Sequence, residues 1–293
     1  MTTQKKQRRI FGGMVAAVAL IVLCVGGFLL YDRGRPAPVP MERRLFDGIT
    51  YDRQVQYYPR FRVVHVIKVD LRNNNLEFLV TPPDDDSDKP LKARTTTQFV
   101  KEFGAQIAIN GGGFTPWWSY TVLDYYPHEG DPVRPNGLAA SQGAVYVPEG
   151  KGATLYISRN NSLSFDTTPG RIYNAVTGDR MLVQKGSPAA DLDDGDRDPR
   201  TAIGANQNGR WLIIVVVDGR QPYYSDGATL KELAQIMIDN GAYFAINLDG
   251  GGSSTMVMKG ADGRPEILNS PVNNLVPGLE RPVANHLGII INK

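Results

Sequence analysis

The chain has 293 residues, 42% of them hydrophobic and 21% charged, a balance that excludes both a wholly disordered polymer and a multi-span membrane protein. Lys and Arg total 32 and Asp and Glu 30, but the first 35 residues carry a net +5 and leave −3 on the remainder. A domain with that balance lacks the clustered basic excess that neutralises phosphates, so no nucleic-acid partner is expected.

Residues 10–31 contain no charge and at 1.5 Å per residue reach about 33 Å, enough to cross a bilayer core of about 30 Å. Lys5, Lys6, Arg8 and Arg9 precede them. The positive-inside bias therefore predicts a cytoplasmic tail at 1–9, a single-pass membrane anchor at 10–31 and an extracytoplasmic remainder. The alternative, a cleaved signal peptide, is disfavoured by the length of the apolar run and the lack of an A-x-A site. Cys24, the sole cysteine, falls inside the run, so the exported part has no thiol to mispair in an oxidising compartment. The Pro-rich stretch 33–40 predicts a semi-rigid spacer within a linker at 32–50, with the globular domain at 51–293.

Within that domain, β-rich runs at 62–71, 76–81, 143–147, 154–158, 211–217 and 287–291 predict strands. Only 95–103 and 229–240 have helical periodicity there. In the second, Leu230, Leu233, Ala234, Met237 and Ile238 form the apolar stripe, opened by Thr229 with Glu232 as a capping box. Asn208-Gly209 predicts a two-residue hairpin joining 200–204 to 211–217. The fold class that follows is α+β, with a mixed β-sheet and few helices.

Each helix runs into a glycine, a short apolar strand and a glycine cluster: FGAQIAINGGGF at 103–114 and NGAYFAINLDGGGSS at 240–254. Gly104 and Gly241 suit left-handed helix stops, and Asn110 and Asn247 fall at the strand ends. This helix, strand and Gly-turn pseudo-repeat predicts that the two turns lie side by side at one sheet edge and wall one cleft. Three glycines beside Asp249, Asn247, Ser253 and Ser254 expose backbone amides to a ligand, the alternative being an ordinary strand-to-loop turn. Asp218 closes the apolar run 211–217 in the same way, although Asp-Gly is also a plain turn signal. The hairpin is expected to bring Arg200 near Arg220, and arginines suit bidentate phosphate recognition. His286 is one of three histidines, a type more often structural than catalytic. The Asp run at 191–198 admits a divalent cation such as calcium, but Ala202 stands where an EF-hand needs its bidentate Glu, so a solvated acidic loop is preferred and no cofactor is required.

Taken together, the segments at 110–114, 200–204, 218–220, 247–254, 269–271 and 281–286 resemble the phosphodiester glycosidase family. That resemblance covers about residues 100–292 and implies cleavage between a sugar's anomeric carbon and a phosphodiester oxygen, here expected in envelope glycans or their precursors. A departure is Gly113, where an aromatic commonly pairs with Phe114. Under this reading Asp249 is the nucleophile or base, and Asp218 a second carboxylate or a stabiliser of oxocarbenium charge. Arg200, Arg220 and Arg281 are the expected phosphate holders. Asn110, Asn247 and Asn285 are the expected partners of sugar hydroxyls, and Gly111, Gly112, Thr201, Gly250, Gly251, Ser253, Ser254 and His286 complete the expected binding set. Trp117 and Trp118 are candidates for stacking on a sugar face. Two rivals remain: a phosphodiesterase that breaks the P–O bond, and a non-catalytic glycan-binding module.

Overall fold

A computed structural model describes the backbone of residues 2–121 and 123–292, with side chains from residue 11 onward except 28, 29, 31, 32 and the two undescribed positions. Helix α1 (Thr2–Arg33) comes first. Among the described residues no helix is long and apolar enough to cross a membrane. This overturns the expected single-pass, membrane-anchored localisation. The cationic flank Lys5 to Arg9 lies outside the described side chains.

The expected linker is also corrected. Met41–Phe46 and Ile49–Gln56 pair as a hairpin around Asp47-Gly48, with Gly48 at φ +71, and they form the edge of the largest sheet. Ile49 and Tyr51 are buried, which fixes the register. The preceding Pro-rich stretch is tied to the domain rather than free. Pro38 and Val39 carbonyls accept from Tyr57 Oη and Arg53 Nε, and Arg35 donates to Gln221 Oε1 and Ser270 Oγ at 2.7 and 2.9 Å.

Eight strands form that largest sheet, in the order Met41–Phe46, Ile49–Gln56, Arg62–Asp70, Trp211–Val217, Arg200–Ala205, Phe244–Asn247, Arg180–Gln184, Ser187–Pro188. A second sheet of five runs Pro265–Ile267, Met256–Lys259, Ile107–Asn110, His286–Ile291, Leu76–Val80, and a third holds the strands between 139 and 177. Every pairing among the described residues is antiparallel, so the sheets are not mixed. The continuous apolar run Trp211–Val217 arises from burial on both faces. Leu212, Ile214 and Val216 enter the main core shared with the other sheets, while Ile213, Val215 and Val217 face the second cluster.

Helix α3 (Leu230–Asp239) covers that second face with Leu230, Leu233, Ala234 and Met237, and is opened by the Thr229–Glu232 capping box. Helix α2 (Thr96–Phe103) packs Phe99 and Val100 on the outer face of the five-stranded sheet. It has its own Thr95–Gln98 capping box and stops at Gly104, φ +70. The two halves of the pseudo-repeat thus end in different sheets, Ile107–Asn110 in one and Phe244–Asn247 in the other. Their turns meet between the sheets rather than along one edge.

Candidate active site

Asn110 joins the two turns. Its Nδ2 donates to Asp249 O at 2.8 Å and Gly111 O at 3.1 Å, and its Oδ1 accepts from Thr201 Oγ1 at 2.8 Å and Thr255 N at 3.2 Å. Asp249 N in turn donates to Gly111 O at 3.1 Å. Both ends of the amide are satisfied and the side chain is fully buried, so Asn110 and Thr201 hold the walls together and present nothing to a sugar. Gly112 lets the first turn pack on the end of the strand Asn174–Thr177, because a Cβ there would lie 1.8 Å from Thr177 O.

In front of this clasp lies a cleft of about 350 Å³ lined by Gly113, Phe114, Trp117, Asn136, Asp198, Arg200, Arg220, Asp249, Gly250, Gly251 and Arg281. Asp249 follows the strand Phe244–Asn247 and turns half-buried into it, with Oδ1 accepting from Gly250 N at 3.0 Å. Burial pushes its carboxyl above the ordinary carboxylate range, against the opposing pull of Ser253, Arg281 and the Gly250 amide. Ser253 Oγ, although close enough to exert that pull, makes no hydrogen bond of ordinary geometry.

Three guanidinium groups line the same cleft, and Arg281 is the one that acts on the Asp249 charge. Arg220 Nε donates to Asp198 Oδ1 at 2.7 Å, and Arg200 approaches Asp198 Oδ2 at 3.9 Å while donating to Ala228 O. Arg220 is held at φ +56, a left-handed conformation whose cost of about 1–3 kcal/mol is typical of functional positions. Arg281 differs from both. Its hydrogen-bond acceptor is the neutral Asn273 Oδ1 at 3.0 Å, and its guanidinium lies 4.9 Å from the Trp117 ring centroid. Burial lowers its proton affinity, partly offset by the charge of Asp249. Gly252 makes room for this group, since a Cβ there would come within 2.4 Å of Arg281 Nη2.

Other expected site residues stand behind the cleft. Asp218 is 0% exposed. Its Oδ2 contacts His65 Nε2 at 2.8 Å, and its Oδ1 accepts from Ser270 N at 2.8 Å and Asn269 Nδ2 at 3.1 Å. Tyr51 Oη lies 2.8 Å from His65 Nδ1, which extends the chain into the core. Asn269 Nδ2 also donates to Ser254 O and its Oδ1 accepts from Met256 N, so Asp218 braces the segment that follows the Gly turn. A carboxylate so enclosed cannot touch a substrate, and the second-carboxylate role expected for Asp218 is corrected to that of a brace.

His286 is likewise enclosed. Its ring stacks on Phe99 at 4.9 Å, Nδ1 lies 3.3 Å from Thr81 Oγ1, and burial lowers its pKa to about 3, leaving it neutral. Asn247 Nδ2 donates to Asp179 Oδ1, and Asn285 gives its backbone carbonyl to Gly111 N. Asn247, Ser253, Ser254 and Asn285 are all buried, and Gly111 packs against Asn285. Trp118 stacks on Tyr126 at 4.6 Å rather than lining the cleft.

Sequence reasoning missed Asp198 and Asn136. Asp198 was one of five aspartates in a run, and nothing local separates it from its neighbours. Asp193 instead accepts from Gly195 N, and Asp194 binds Thr229 Oγ1 and Lys231. Among the described residues no group of three or more His, Cys, Asp or Glu is arranged to hold a metal ion.

The family model for phosphodiester glycosidases matches residues 94–290. The prophage-derived protein YomE of Bacillus subtilis is 36% identical over 91 residues, 31% of this chain and 12% of that protein. The Bos taurus N-acetylglucosamine-1-phosphodiester alpha-N-acetylglucosaminidase is 41% identical over 61 residues, 21% of this chain and 11% of that protein. The matches thus span about a tenth of the length of these curated relatives. The catalytic domain of the zebrafish N-acetylglucosamine-1-phosphodiester alpha-N-acetylglucosaminidase, auto-inhibited by its pro-peptide, shares the fold at a TM-score of 0.61 and 21% identity, covering 89% of this chain and 86% of that one.

Proposed function

Because the chain belongs to the phosphodiester glycosidase family, we propose that it hydrolyses the bond between the anomeric carbon of a sugar and a phosphodiester oxygen. The observation that carries this reading is the opposition of Asp249 to Arg281, Arg220 and Arg200 across one cleft. A departing phosphate monoester is already a stable anion, so its expulsion needs little help from a general acid. One carboxylate then suffices. Asp249, the cleft carboxyl without a guanidinium hydrogen bond, attacks the anomeric carbon or activates water against it. Asp198 is committed to Arg220 and Arg200 and sets their direction. Arg281, whose hydrogen-bond acceptor is neutral, takes the phosphate most directly and stabilises charge as it develops on the leaving oxygen.

The proposal concerns the bond and not a cellular pool. Asp249→Asn keeps the side-chain shape and tests the assignment. Release of sugar from a sugar 1-phosphodiester is expected to fall at least 1,000-fold in the folded variant, about 4 kcal/mol of barrier. Near-normal turnover would remove Asp249 from the reaction.

A further inference from the structure

Two loops edge the mouth of the cleft and hold apolar side chains in solvent. One carries Trp117, which also lines the cleft beneath Arg281, and Tyr120, 77% exposed. The other is the hairpin of Val272–Asn273 with Val276–Pro277 and the residues after it, with Leu275, 75% exposed, at the turn and Leu279, 44% exposed, beyond the second strand. Ser119 Oγ donates to Asn274 Oδ1 at 2.6 Å. Tyr120 and Leu275, each next in sequence to a member of that bonded pair, therefore sit on adjoining loop tips.

The backbone at this tip is informative. Asn274 and Leu275 occupy φ +50 and +61, the conformation of a two-residue turn in which Asn followed by Gly is favoured. A leucine in the second position is strained, and its side chain gains no burial in return. Stability alone gives no reason for a large apolar residue there. A ligand that covers it does.

Resting on the hydrolase reading above, we propose that this rim is an aglycone subsite and that the preferred substrate carries an apolar chain alcohol on the far phosphate oxygen. The rim is continuous with the cleft through Trp117, the residue stacked on the guanidinium assigned to the phosphate. A phosphate held by Arg281 therefore lies beside the ring that leads to the rim. A saccharide aglycone would need hydrogen-bonding groups arranged around it, whereas the exposed Leu275 and Leu279 offer only hydrocarbon.

The test compares the decyl and methyl phosphodiesters of N-acetylglucosamine 1-phosphate as substrates of the full chain. The decyl ester is expected to show at least a tenfold higher kcat/KM, the effect of burying about two methylenes. In the double variant Leu275→Gly/Tyr120→Ser that preference falls to within threefold while methyl-ester turnover is unchanged. Leu275→Gly relieves the left-handed position, so loss of folding does not confound the result. Equal turnover of the two esters by the unaltered chain overturns the aglycone proposal and leaves the hydrolase reading standing. If neither ester is cleaved, calorimetric binding of decyl phosphate against ethyl phosphate decides. Tenfold tighter binding of the decyl compound, lost in the double variant, supports the rim, and equal binding overturns it. Equal turnover together with rim-dependent binding to phosphatidylcholine vesicles overturns it in favour of a lipid surface.

Discussion

Removing the Asp218 carboxylate separates a brace from a catalyst. Three donors, His65 Nε2, Asn269 Nδ2 and Ser270 N, converge on it in a fully buried setting. Asp218→Ala leaves all three without a partner, and each unsatisfied buried donor costs about 1–3 kcal/mol. Some relaxation and water entry bring the expected loss to about 4–5 kcal/mol. That is a large part of the stability of an ordinary domain, about 5–15 kcal/mol. Asp218→Asn retains an acceptor for Ser270 N and turns an amide toward His65, whose tautomer can switch, so about 1–2 kcal/mol is expected. Urea unfolding followed by circular dichroism measures both, read as a midpoint shift at constant slope. An alanine variant within 1 kcal/mol of the parent yet wholly inactive would refute the bracing role and return Asp218 to the chemistry.

Further outcomes follow from the same geometry. Arg281→Ala removes a charge-assisted contact of about 1.5–3 kcal/mol, so KM for a sugar 1-phosphodiester is expected to rise roughly 10- to 150-fold; an unchanged KM would exclude Arg281 from the phosphate. His286 is held down to about 3 in the fold by burial and the Arg94 charge, while the unfolded chain binds its proton near the ordinary histidine value of 6.5. Stability from this group is therefore complete above pH 6.5 and is lost as pH falls toward 3, by about 2 kcal/mol at pH 5. His286→Gln should flatten that part of the pH profile of the urea midpoint, and an unaltered slope would contradict the assignment. Gly112→Ala, whose Cβ would fall 1.8 Å from Thr177 O, is expected to destabilise by more than about 3 kcal/mol, and a parental midpoint would show that this turn does not pack on Asn174–Thr177 as described.

Much of the fold was legible because its signals are local. Thr95 with Gln98, Thr229 with Glu232 and Gly104 mark helix ends by hydrogen bonding within a few residues, and the helices lie where periodicity puts them. The hairpin Met41–Gln56 was obscured by Arg43, Arg44 and the proline run before it, although Asp47-Gly48 is a two-residue turn signal in plain view. The Asn208-Gly209 turn is longer than two residues, since Asn206, Gln207 and Arg210 also lie outside the strands it joins. Antiparallel pairing was hidden because a strand buried on both faces reads as a continuous apolar run in either sheet type.

At the site, proximity was more legible than role. Asp218 and Asp249 both follow apolar strands and are alike in sequence. Only His65, Asn269 and Ser270, distant in the chain, enclose one of them and leave the other open. The same holds for Asn110, whose four bonds come from three separate segments.

Hydrolysis of a sugar 1-phosphodiester in oxygen-18 water tests the central claim most directly. If Asp249 drives attack at the anomeric carbon while the guanidinium groups hold the leaving phosphate, mass spectrometry finds the label in the sugar hydroxyl and none in the phosphate. Label in the phosphate would mean that the P–O bond breaks, and would contradict the account.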